Sequence, residues 1–138
     1  MARKKENAKK PAAKALNDNH QGDENRQNTV RLLQECHNMC RRMFMEYAPK
    51  ESGRNLPYLH LKRLQACIEI CGSTASYLLK DGVMAHRLCE ITARICEQCA
   101  DFCEKLEGED FQHCAALCRE TAEACIEENF RLKTTAAA

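Results

Sequence analysis

The chain has 138 residues, enough for one domain with tails: about four helices of roughly 20 residues around a core that folds alone. It has no tryptophan and few aromatics, and its net charge of +1 gives no overall pull toward nucleic acid or an anionic membrane. Its eleven cysteines are an odd number, with no apolar segment behind the basic N-terminus and no membrane-length apolar run, so free thiols in a reducing cytoplasm are expected rather than a secreted disulfide scaffold.

Residues 1–27 are mostly Lys, Ala, Asn, Asp and Gln, with Leu16 the one large aliphatic residue after Met1. Such a segment has too little apolar surface to offset its ordering entropy, and a disordered tail is expected. A first helix is expected over 28–47, capped by Asn28 or Thr29. Its inner stripe is Leu33, Cys36, Cys40, Met43 and Tyr47, and His37 falls off that stripe, toward solvent. Pro49 and Gly53 mark a loop.

A second helix is expected over 57–80, with Pro57 at its start and the stripe His60, Leu64, Cys67, Cys71, Thr74 and Leu78. Gly72 inside it allows a neighbour to come close, and Asp81-Gly82 reads as a tight turn. The third, over 83–106, lines up Cys89, Thr92, Cys96, Cys99 and Cys103, with Gly108 as its terminating residue. The fourth, over 109–132, lines up Cys114, Leu117, Cys118, Thr121, Cys125 and Leu132, with Glu109 and Asp110 favourable at its N-terminus. Residues 133–138 are expected to fray. The fold class is all-α: an antiparallel up-down-up-down four-helix bundle over 28–132 with a Cys-lined core.

The cysteine gaps are those at which a helix returns to one face. At about 1.5 Å per residue the eleven thiols (Cys36, Cys40, Cys67, Cys71, Cys89, Cys96, Cys99, Cys103, Cys114, Cys118 and Cys125) stack into a column. Met43 and His60 lie at its lower end, beside the 48–56 loop, where a thioether or imidazole could pass a metal inward without trapping it. Met39, Met45 and His113 are weaker candidates.

Thiols at i,i+4 have Cβ atoms about 6 Å apart and can hold one ion between two sulfurs. That suits a soft d¹⁰ monovalent ion, above all Cu(I), whereas zinc wants four ligands in a tetrahedron. If each thiolate bridges two Cu(I) ions the column is neutral at one ion per cysteine, which sets a capacity on the order of ten. Unloaded thiols pack as small hydrophobes, so the metal-free bundle should be folded. Other classes remain: an iron–sulfur or zinc-binding helical protein, a thiol–disulfide enzyme, or a structural interaction bundle. Cys96 and Cys99 form the one Cys-x₂-Cys, inside a helix, where cluster ligands usually come from loops. No nucleophile–base constellation or phosphate-binding loop is present, so no enzyme activity and no nucleic-acid partner are expected.

In its Cys-x₃-Cys pairs on the first, second and fourth helices, its CEQCADFC segment and its His113-Cys114-x₃-Cys118 opening, the sequence resembles the cysteine-rich four-helix-bundle copper storage proteins of bacteria. The resemblance spans roughly Thr29 to Leu132. It implies a cytosolic store of many Cu(I) ions on cysteine pairs, commonly a homotetramer. The chain departs from the pattern at Thr74, Thr92 and Thr121, which occupy stripe positions where further thiols could sit and so could interrupt the column.

Overall fold

The computed structural model describes residues 2–49 and 55–137, with side chains at 20–49 and 55–135. The middle of the 48–56 loop, with Gly53, lies outside the described residues. Four helices follow one another: α1 (Ala2–Tyr47), α2 (Tyr58–Leu79), α3 (Ala85–Glu104) and α4 (Glu109–Ala137). Among the described residues there is no strand. Each helix packs on its sequence neighbours and α1 also packs on α4, while α1 and α3, like α2 and α4, lie on diagonals. This is the expected four-helix bundle, and its short connections force neighbours to run antiparallel.

The elements differ from expectation mainly at their ends. The first helix starts at Ala2 instead of Asn28. Its N-terminal arm is rich in Ala and Lys, good helix formers, so the helix continues without an apolar face to bury. Residues 20–27 are part of it: His20 pairs with Glu24, and Arg26 reaches Glu128 and Asp81. Thr29 is therefore no cap, and its hydroxyl donates to the Asn25 carbonyl at 2.9 Å. Likewise α4 runs past Leu132 to Ala137, and Thr134 and Thr135 donate to the carbonyls of Phe130 and Arg131, one turn back.

Gly108 also changes role. α3 ends at Glu104, and the Gly108 carbonyl accepts the Gln112 N–H, so this glycine opens α4. Its φ of +128° is a conformation that side chains rarely adopt. The Asp81-Gly82 turn forms as expected, with Gly82 N–H donating to the Tyr77 carbonyl at 2.7 Å. A Cβ on Gly82 would lie 2.5 Å from the Tyr77 ring.

The core runs along the bundle axis. Aliphatic residues such as Leu33, Leu64 and Leu78 frame it, and all eleven cysteines are fully buried within it as free thiols. His37, expected in solvent, instead packs on α2 and donates from Nδ1 to the Ile68 carbonyl at 2.7 Å. Gly72 makes the room: a Cβ there would sit 3.2 Å from the His37 ring.

Candidate metal centre

The cysteines come from four helices whose inward stripes repeat every three or four residues, so their sulfurs converge on one line. Nine of them form a continuous network. Cys36 Sγ lies 3.7 Å from both Cys67 and Cys118, Cys67 lies 3.9 Å from Cys71 and 3.8 Å from Cys96, and Cys71 lies 3.7 Å from Cys96. Cys40 meets Cys114 at 3.9 Å. Three groups of four sulfurs each fall within 4.8 Å: Cys36/Cys67/Cys71/Cys96, Cys36/Cys40/Cys67/Cys118, and Cys40/Cys99/Cys114/Cys118. The groups share members, so they are links of one chain rather than separate cages. Cys103 extends the chain downward through hydrogen bonds with Cys114 and Cys99.

Hydrogen bonding between sulfurs sets the ionisation pattern. Donation to neighbouring sulfurs, with burial, pushes Cys40, Cys71, Cys96, Cys103 and Cys118 up and holds them as neutral thiols. Their acceptors are pulled the other way against burial. Cys36, Cys67 and Cys99 are lowered, and Cys114 is lowered to about 5 by Cys103, Cys118 and Cys40. Alternating donors and acceptors bond the weak S–H groups to one another without water, and the lowered members are the ones readiest to meet a cation as thiolates.

At the lower end the structure brings His60 to Cys103, with Nε2 3.9 Å from Sγ. Met43 is equally buried. Burial lowers the His60 pKa, opposed by Cys99 and Cys114, so the ring is a neutral imidazole with a lone pair to offer. Its Nδ1 is buried without a partner. The end is covered rather than open. His60 stacks on Phe102 at 5.1 Å and meets Phe111 at 6.4 Å, Phe111 packs on Tyr47 at 4.9 Å, and Tyr47 donates to Asp110 at 2.6 Å. Met39 and His113 lie instead on a surface groove of about 470 Å³ between α1 and α4, and Met45 is exposed.

At the upper end Cys89 and Cys125 pair with each other. Thr74, Thr92 and Thr121, all fully buried, lie between them and the nine-thiol network. Above the pair sits a cluster absent from the sequence expectations: Glu128, fully buried, bound by Arg131 and by Arg26 Nε at 3.4 Å, with Arg26 also on Asp81. The available signal was a carboxylate at i+3 from Cys125, on an otherwise apolar stripe.

A family model described as copper storage protein matches residues 23–129. A search of curated proteins finds no match. Among solved structures, the Nmul_A1745 protein from Nitrosospira multiformis is 30% identical, with a TM-score of 0.70 over 78% of this chain and 96% of that one. A Cu(I)-bound copper storage protein, BsCsp3, is 21% identical, with a TM-score of 0.66 over 76% of this chain and 98% of that one, a likeness of fold.

Proposed function

This chain belongs to the copper storage protein family, and we propose on that premise that its thiol column is the store, holding Cu(I) on Cys36, Cys40, Cys67, Cys71, Cys89, Cys96, Cys99, Cys103, Cys114, Cys118 and Cys125. The observation that carries the assignment is the run of buried sulfurs, seven of which lie 3.7–3.9 Å from a neighbouring sulfur and eight of which fall in overlapping groups of four within 4.8 Å. Cu(I) prefers thiolate and accepts two-coordination, so it can sit between successive sulfurs all along such a run. Bridging thiolates keep the buried charge near zero, which limits the desolvation penalty. Capacity is on the order of ten ions per chain if every thiol takes part.

His60 and Met43 stand at the lower end as secondary ligands, where a weaker donor than thiolate can hand an ion to Cys103 without trapping it. The role is storage rather than catalysis. The family resemblance supports a cytoplasmic homotetramer, and among the described residues no helix is long and apolar enough to cross a membrane.

One observation favours a second reading. Tetrahedral Zn–S₄ sites with Zn–S near 2.3 Å have S···S edges of about 3.8 Å, which the four-sulfur groups match. Zinc in closed tetrahedra that share no sulfur would stop at two ions, since each takes four of the eleven sulfurs. An anaerobic titration of the reduced protein with Cu(I) against a chromogenic chelator, with circular dichroism alongside, separates the two. Tight uptake of many equivalents by an already helical protein is expected, with protons released and affinity falling as pH is lowered. Uptake of three or fewer equivalents would overturn the storage reading.

A further inference from the structure

We propose that Phe102 is the gate through which Cu(I) enters and leaves the thiol column, and that Arg63 is the latch that holds its ring shut. The proposal rests on the storage reading and deepens it, since it concerns how fast ions move rather than what holds them.

The two ends of the column are closed in different ways. At the upper end Glu128 is fully buried between Arg26 and Arg131, with the Thr74, Thr92 and Thr121 layer beneath. The hydroxyls there are committed: Thr92 donates to the Leu88 carbonyl at 2.6 Å and Thr121 to the Leu117 carbonyl at 2.7 Å. A soft cation crossing that end would meet two guanidiniums and then hard oxygen atoms. At the lower end the His60 imidazole stands beside the last thiol, with Nε2 3.9 Å from Cys103 Sγ, and what covers it is aromatic.

The rings of Phe102 and Phe111 on His60 are not equivalent. Phe111 is fully buried and packs on Tyr47, whose hydroxyl donates to Asp110 at 2.6 Å. Displacing Phe111 means opening the bundle. Phe102 is half-buried, so part of its side chain is already in water, and its ring stacks on the imidazole with centroids 5.1 Å apart and planes 26° apart. It lies in the last turn of α3, where the Lys105 and Leu106 N–H groups bond back to the carbonyls of Phe102 and Cys103. A rotamer change swings this ring outward and uncovers His60 without moving a sulfur or breaking a backbone hydrogen bond.

Arg63, one turn after His60 on α2, opposes that swing. Its Cζ lies 4.4 Å from the centroid of the Phe102 ring, and its Nη1 donates to Gln98 Oε1 at 3.2 Å, one turn before Phe102 on α3. The guanidinium is thus tied in place over the ring. Its Nε is buried without a hydrogen-bond partner, so this side of the cation is stripped of water, a condition that strengthens cation–π attraction. To open, the ring gives up both the stack on His60 and the contact with Arg63. Neither contact involves a thiol, so both act on the barrier to passage and leave the equilibrium affinity alone.

The test is the speed of transfer on the reduced full-length chain, followed anaerobically by stopped flow. Loading is measured from a Cu(I)–chelator complex, and withdrawal from the filled chain by excess chromogenic chelator. Phe102→Ala should speed both by about tenfold. Arg63→Met, which keeps a long apolar stem beside the ring, should speed both by about two- to fivefold. Copper capacity and equilibrium affinity should match the unaltered chain in both variants. Leu78→Ala, which opens a cavity at the far end of α2, should load and unload at the unaltered rates, which separates a gate from general loosening. The proposal is overturned if Phe102→Ala or Arg63→Met leaves the rates unchanged, if either alters capacity or affinity instead, or if Leu78→Ala speeds transfer as much as Phe102→Ala. An unaltered chain that fails to fill sinks the storage reading itself. An unaltered chain that fills, with variants departing from this pattern, sinks only the gate.

Discussion

A single imidazole shows how burial at this core carries both stability and chemistry. His60 is 1% exposed, and burial holds its pKa below the ordinary value of 6.5. The unfolded chain takes up a proton at this residue as pH falls through about 6.5 while the folded chain does not, so protons favour unfolding. The metal-free protein should lose about 1.4 kcal/mol per pH unit on this account until the lowered folded pKa is reached. His60→Leu should flatten that slope, as urea midpoints at pH 7 and pH 5.5 would show. At the other end, Glu128→Ala would leave Arg26 and Arg131 facing each other over a cavity and should destabilise the chain by about 3 kcal/mol in denaturant unfolding. His60 was legible as a candidate from its stripe position beside the loop. Its aromatic cover was not, because Phe102 and Phe111 reach it from α3 and α4, and no pattern within α2 reports them.

At the scale of elements, periodicity located all four helices and turn chemistry located the connections, because both are local. The misread ends share one cause: residues there are decided by propensity and by distant partners rather than by an apolar stripe. Arg26 is ordered by Asp81 and Glu128, which lie 55 and 102 positions away in the chain. Gly108 was legible as a breaker, but whether it closes α3 or opens α4 depends on which carbonyl the next N–H groups find. A Cβ at Gly108 would meet Asp110 Oδ1 at 2.8 Å on a backbone at φ +128°. Gly108→Ala should therefore lower stability by about 1–3 kcal/mol, measured by thermal or denaturant unfolding.

Across the whole molecule, the column of thiols was readable because helix rise and chain direction alone fix the height of each residue. The same reasoning treats the N-terminal arm and the bundle differently. Removing residues 1–19 should leave copper capacity and melting temperature unchanged, since Leu16 is the one large aliphatic side chain beyond Met1 there. Removing residues 1–26 takes Arg26 as well, with its ion pairs to Asp81 and Glu128, and should lower stability. Cargo and scaffold are also mechanically joined. Each four-sulfur group draws on three helices: α1, α2 and α3 in the uppermost, α1, α2 and α4 in the middle, α1, α3 and α4 in the lowest. An ion seated in any of them is a rivet through three helices and closes loops in the chain as a disulfide would. A filled bundle should therefore melt later than an empty one. It also cannot be emptied by peeling off one helix, so withdrawal must come from a competing ligand that follows the sulfurs inward.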